Sequence, residues 1–343
     1  MPPCYPRGGA RARLVQTGWD VPLAYEASVE PARLEAGQVR VAVDACGVCH
    51  RDLLDREGRF PFLRLPVTPG HEAAGRVVEV GAGVTAPSVG DHVATMHRDA
   101  CGACPACARG DTTLCTGAAW VLGILADGGY ASEIVLPASA LYPVPADLPP
   151  AHAAVLHCTF GTAYRDLATL AKLQAGERVL VTGANGGVGV AAVQVAARLG
   201  AHVVALVRDA AHEPFLRSLG AREVVTDAKA VSPVDVAIDT VGAPTFLGAL
   251  HALQVGGRVV TLGNVTRDKV PLNLGLVITK GLSILGGSGA TAAEMRAVLA
   301  MHAERPFHVA IARTLPLARA DEAQRLVRQG GLVGRVVLDT RRG

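Results

Sequence analysis

Four cysteines fall within fifteen residues, as Cys101-x2-Cys104-x2-Cys107-x7-Cys115, and this spacing constrains the chain more than any other feature. Zinc takes four thiolates in a tetrahedron at about 2.3 Å from each sulfur. Close-set cysteines interrupted by Gly102, Pro105 and Gly110 can wrap one ion without support from regular structure. Such a site has no open position and is structural. Four free thiols and an iron–sulfur cluster are the alternatives. Clustered thiols at metal-ligand spacing have few other uses, and nothing else in the chain points to electron transfer.

A second pattern belongs to a different kind of fold. Arg178 to Gly183 reads as a buried strand, and Val188 to Leu199 is Ala- and Val-rich with helical period, stopping at Gly200. Between them Gly183, Gly186, Gly187, Val188 and Gly189 form a glycine-rich turn. Such a turn lets backbone N–H groups and a helix N-terminus approach a pyrophosphate. The readable strand before it and helix after it are the context the motif requires; a turn without a ligand is the alternative. The following strand, Val203 to Val207, ends without the acid that takes a ribose 2′-OH in NAD enzymes; Arg208 stands next and Asp209 one residue later. A guanidinium suits a 2′-phosphate, so NADP(H) is the expected cofactor, with a solvated loop arginine as the plainer possibility.

The rest of the chain divides accordingly. Its 343 residues suggest two domains. Residues 14 to 150 are rich in Pro, Gly and Val, with short runs such as Val39–Val43 and Gly75–Val80, and predict a β-rich domain. From Arg178, strands alternate with helices (Glu213 to Leu219 a helix; Val234 to Val241, Arg258 to Leu262 and Leu282 to Leu285 strands), predicting a doubly wound parallel sheet, hence an α/β protein. A helix after Glu294 and a strand at Gly334 to Asp339 are expected to rejoin the first domain. The divisions are 1–159 with 291–343, and 160–290. Leu282 to Gly287 is a candidate edge strand for dimer formation. With 33 Lys plus Arg scattered against 30 Asp plus Glu, nothing suggests nucleic-acid binding. No apolar run reaches the roughly 18 residues of a membrane span, and Met1 to Arg13 has no signal-peptide core. A loose lead-in over the first dozen residues and a cytoplasmic location are expected.

Three further motifs complete the pattern: Gly47-Val48-Cys49-His50-Arg51-Asp52, Gly70-His71-Glu72-Ala73-Ala74-Gly75 and His157-Cys158-Thr159-Phe160-Gly161-Thr162-Ala163-Tyr164. With the cysteine lobe and the glycine turn, they make the chain resemble the zinc-containing medium-chain dehydrogenase/reductase family over almost its whole length. The resemblance implies a GroES-like domain plus a Rossmann domain in a homodimer or homotetramer, and two zinc ions per chain. It assigns Cys49, His71 and Cys158 to a catalytic zinc, with Glu72 a nearby or alternating ligand. Two thiolates and an imidazole leave a fourth position for water or substrate. Asp52 is expected to orient His71, Thr162 and Val188 to touch the nicotinamide, and His50 and Arg335 to reach the pyrophosphate. Cys4 and Cys46 are expected to be non-ligands; His92, His152 and His157 are expected to be structural or surface residues.

One position departs from the alcohol dehydrogenases, which usually carry Ser or Thr two residues after the first ligand cysteine to start a proton relay. Here it is Arg51, which cannot relay a proton as a hydroxyl does, and Leu54 stands where a further relay histidine is expected. Cys49 to Leu54, Ile238 to Phe246 and Leu262 to Val265 instead look similar to the acryloyl-CoA reductase branch. The expected substrate is a small molecule: an aldehyde, ketone, alcohol, enone or enoyl thioester. Arg51 is expected to hold a phosphate or steady an enolate-like oxygen, or else to pair with a nearby acid such as Asp55. A non-catalytic NADPH-binding relative is the remaining alternative, disfavoured because all three ligand candidates are present.

Overall fold

Strand Gln38–Val48 is buried on both faces because it is the middle of a seven-stranded sheet. It pairs antiparallel with Glu72–Val80, Glu133–Pro137 and Arg335–Asp339. Ile311–Pro316 adds in parallel beyond Arg335–Asp339, so the chain's last strands do complete the first sheet. The computed structural model describes residues 11–341 apart from Pro61, Ala119, Ser232 and Arg267. Cys4 and most of the expected lead-in lie outside the described residues.

The second sheet has six parallel strands in the order Ala221–Val225, His202–Leu206, Arg178–Thr182, Val234–Asp239, Leu253–Thr261, Ser283–Gly286. Consecutive strands run outward from Arg178–Thr182 in both directions, and the crevice at that reversal is where such sheets take dinucleotides. Helix Gly187–Arg198 follows the first strand and packs on its face with Val190 to Ala196 buried. Gly189 permits the close approach: a Cβ there would sit 2.2 Å from the carbonyl oxygen of Gly183.

Between the sheets the chain is helical from Pro150 to Leu170, with wide π-type turns at His157–Gly161 and Arg165–Leu170. This stretch carries Cys158 and is buried through Ala153–Ala163. It belongs to one apolar core that also takes in Val179, Val181 and Val193, so packing joins the two sheets. Among the described residues no helix is long and apolar enough to cross a membrane.

Candidate metal and dinucleotide site

Three separate elements bring Cys49, His71 and Cys158 together. Cys49 is the N-cap of helix His50–Arg56, His71 immediately precedes strand Glu72–Val80, and Cys158 lies in the first π-type turn. Cys49 and Cys158 have their sulfurs 3.9 Å apart, Cys158 Sγ is 3.6 Å from His71 Nε2, and Glu72 Oε1 is 3.8 Å from the same nitrogen. All four ligand atoms lie within 4.8 Å of one another. Two sulfurs on one tetrahedral zinc stand about 3.8 Å apart. The spacing and the donor set therefore fit one zinc ion. Glu72 Oε2 is buried with no hydrogen-bond partner among the described residues. Gly47 makes room for it, since a Cβ there would lie 2.0 Å from that oxygen.

Asp52, Arg51 and Arg335 are charged neighbours that shape the electrostatics. Asp52 Oδ1 accepts from His71 Nδ1 at 2.9 Å, while its Oδ2 accepts from the Cys49 amide and from the Tyr130 hydroxyl. Burial and Arg51 pull the His71 pKa down, but the Asp52 charge and hydrogen bond outweigh them and lift it to about 9. The same bond presents Nε2 to the cluster. The Cys158 thiol bonded to Cys49 lowers the latter's pKa against the opposing effect of burial, helped by Arg335. Arg335 Nη2 lies 2.8 Å from Glu72 Oε1, 3.2 Å from Cys158 Sγ and 3.5 Å from Cys49 Sγ. Its stem lies against the glycine turn, where a Cβ on Gly187 would be 3.0 Å from Arg335 Nε. Arg335 thus spans from the ligand cluster to the dinucleotide turn.

The remaining expected residues divide. Gly183 follows strand Arg178–Thr182, Gly186 caps the helix, and Gly187, Val188 and Gly189 form its first turn. Thr162 is buried one helical turn after Cys158. His50 opens its helix half-buried. Arg208 is exposed beyond its strand, its guanidinium 3.0 Å from where a Cβ on Gly330 would be. The Asp209 carboxylate caps the Ala211 amide instead of standing at the strand end. Of the two expectations for Arg51, the structure shows the pairing with an acid: its Nε bonds Asp55 at 3.0 Å, an i,i+4 pair the helix itself brings into reach, and its Nη2 bonds the Leu122 carbonyl at 3.0 Å. Neither bond presents it to the cluster. Leu54 is buried beside it, and Cys46 lies outside the ligand set.

Cys101, Cys104, Cys107 and Cys115 form the second group, also within 4.8 Å. Backbone amides already serve its sulfurs: the Cys101 amide donates to Cys115 and the Cys104 amide to Cys101, each at 3.3 Å. Such bonds favour thiolate, and those from Cys107 and Thr116 bring the Cys104 pKa to about 5.

Two features escape sequence reasoning. Rings of His71, His97 and His157 stack edge to face at 4.8 and 4.1 Å, and burial pushes His157 down to about 4, so it is neutral. His157 Nε2–H donates to the Ala290 carbonyl, the structural role expected of it, but His97 carries no local signal. Tyr130 reaches Asp52 across 78 residues of sequence, which no spacing reveals.

Residues 35–146 match the alcohol dehydrogenase GroES-like domain, and residues 187–304 match the zinc-binding dehydrogenase domain. The acryloyl-coenzyme A reductase of Sulfurisphaera tokodaii is 34% identical over 307 residues, covering 88% of this chain and 92% of that protein. The crystal structure of AibC superposes with a TM-score of 0.89 at 38% identity, covering 96% of each chain. The cobalt- and zinc-bound thermostable alcohol dehydrogenase from Pyrobaculum aerophilum gives a TM-score of 0.89 at 32% identity, covering 96% of this chain and 99% of that one.

Proposed function

The chain belongs to the GroES-like, zinc-binding alcohol dehydrogenase family of oxidoreductases, and we propose that it uses NADPH to reduce the conjugated C=C of a small enoyl thioester or enone. The observation that carries this choice lies beside Cys49. The position of a relay hydroxyl is Arg51, locked on Asp55 and the Leu122 carbonyl, and the position of a relay histidine is the buried Leu54. Oxidation of an alcohol must send its hydroxyl proton to bulk water, and neither side chain can pass it on. Reduction of a conjugated carbonyl places the new proton on carbon and has no need of that path. The relative named acryloyl-coenzyme A reductase supports the same substrate class.

Cys49, His71 and Cys158 would hold a zinc ion, which supplies Lewis-acid polarisation of the carbonyl oxygen while the reduced nicotinamide supplies hydride to the β-carbon. Asp52 fixes the tautomer and aim of His71. Glu72 is the fourth donor in reach. Thr162 and Val188 would flank the nicotinamide. The glycine turn and the helix it opens would take the pyrophosphate, with His50 at the rim. Arg335 Nε, buried beside Gly187 with no partner among the described residues, is a donor awaiting an anion there. Arg208 would take the 2′-phosphate, with Asp209 already committed to its own turn. The four-cysteine lobe would hold a second, structural zinc.

The domain division at 159/160 then falls inside helical stretch Pro150–Leu170, which joins the two units. Edge strand Ser283–Gly286, flanked by exposed Leu274 and Ile278, would pair with a second copy in a homodimer. A thiolate lobe suits the reducing cytosol.

Alcohol–carbonyl interconversion is the second reading, favoured by a ligand set complete for polarising any carbonyl. NADPH oxidation against aldehydes, ketones, enones and enoyl-CoA thioesters, with alcohol oxidation run in reverse, separates the two. The expected result is enoyl reduction outrunning alcohol oxidation. Efficient oxidation of simple alcohols with no activity on enones or enoyl thioesters would overturn the choice.

A further inference from the structure

Arg165 is a buried cation that the proposed chemistry does not use. It lies seven residues after Cys158 in the same helical stretch, about 10 Å further along at 1.5 Å per residue. Its three nitrogens are bound to two distant parts of the chain. Nη2 donates to Asp111 Oδ1 at 2.7 Å, Nε to Ser288 Oγ at 2.8 Å and Nη1 to Glu294 Oε1 at 3.1 Å. Asp111 lies between Cys107 and Cys115, inside the cysteine lobe. Ser288 and Glu294 lie on the segment that leaves the parallel sheet for the first domain. Thr113, also in the lobe, donates to Asp111 at 2.7 Å and meets Ser288 at 3.2 Å.

A buried charge is costly unless paired and hydrogen-bonded, and a planar guanidinium with three fixed acceptors has one geometry that satisfies all of them. The arginine therefore sets the register between lobe and helix rather than only adding attraction. Of the lobe's cysteines, Cys101 is exposed, Cys104 and Cys107 are half-buried and Cys115 is buried.

We propose that Arg165 is a positioning residue that couples the four-cysteine lobe to the catalytic cluster: an ion in the lobe fixes Asp111, Asp111 fixes Arg165, and Arg165 holds the helix that presents Cys158 to Cys49 and His71. The proposal rests on the two-metal reading above. Coupling of this kind is reciprocal, so occupancy of either group strengthens retention in the other.

The test is metal release from protein reconstituted with cobalt(II), followed by loss of the thiolate–cobalt absorption in excess chelator. Wild type is expected to release in two phases, and Cys158→Ala to lack the catalytic one. Asp111→Ala is expected to speed that catalytic phase by about ten- to a hundred-fold, the scale of a hydrogen bond to a charged group. Asp111→Asn keeps an oxygen acceptor in place and is expected to restore much of the retention. Arg165→Lys serves if Asp111→Ala does not fold, and is expected to speed the same phase. An unchanged catalytic phase in Asp111→Ala, or in Arg165→Lys where that is the variant that folds, with only a lower melting point, would overturn the coupling and leave the two-metal reading intact. A single phase in wild type, unaffected by Cys158→Ala, would remove both.

Discussion

The two ligand groups offer similar atoms to a metal, but the chain assembles them differently. In the lobe, four thiols come from fifteen consecutive residues at the surface, and backbone amides three to fourteen residues away steady the sulfurs. In the other group, Cys49 and Cys158 are 109 residues apart, and their surroundings are side chains: Asp52, Glu72 and Arg335, all buried. The lobe closes on itself with four equal donors, as a site that contributes folding energy does. The interior cluster mixes two thiols, an imidazole and a carboxylate that Arg335 also holds. The local group is steadied by backbone amides, and the group assembled from distant segments by buried side chains.

Exchanging one thiol in each group breaks the comparison most forcefully. Cys158→Ala should cut turnover at least about a thousandfold, the several kcal/mol a Lewis acid supplies, while melting stays close to wild type. Cys115→Ser should do the reverse in kind, lowering the melting midpoint on the order of 10 °C through loss of a folding-linked ion. Scanning calorimetry beside steady-state assays checks both.

A finer test concerns the Asp52 carboxylate. Asp52→Asn should weaken metal affinity of the interior cluster by about ten- to a hundred-fold, as loss of an orienting carboxylate does, and leave lobe affinity unchanged in a competitive chelator titration. Arg208→Ala carries the contrast to the cofactor half. NADPH binding should weaken by about tenfold or more and NADH binding hardly at all, by fluorescence titration. Equal losses would make Arg208 a loop support.

The smallest effect should come from Asp166, whose burial pushes its pKa up to about 8 even though the Ser288 amide and Arg165 favour the charge. The folded form then keeps the proton that the unfolded form releases near pH 4. Stability is therefore lost as pH rises from about 4 to about 8 and is flat above. Asp166→Asn retains the oxygen acceptor and removes that cost, so it should raise the melting point by roughly 5 °C at pH 9 and leave it unchanged at pH 4.

Legibility in the sequence followed the same divide between local and distant. The lobe and the glycine turn are contiguous, so spacing alone exposes them. Strands at 178–182, 202–206 and 234–239 are rich in Val, Ala, Leu and Ile and were equally plain. Strand Leu253–Thr261 begins five residues before the expected Arg258 and takes in Gly256 and Gly257. Strand Ile311–Pro316 and helix Ala320–Gln329 were not anticipated; the strand is half-exposed and the helix mostly polar, and packing against Arg335–Asp339 makes both. The interior cluster became legible through resemblance of three motifs, since no spacing links residues 49, 71 and 158. Its partners Tyr130 and His97 were invisible because only the fold brings them near. The pairing of Arg51 with Asp55 was legible, because one short helix sets the two four residues apart.

Metal content of purified wild type and Cys158→Ala, measured side by side with their melting curves, bears most directly on the division of labour between the two groups. Two ions in wild type and one in the variant, with the fold retained and turnover gone, is the expected result. One ion in both proteins would leave the interior cluster without a metal and contradict it.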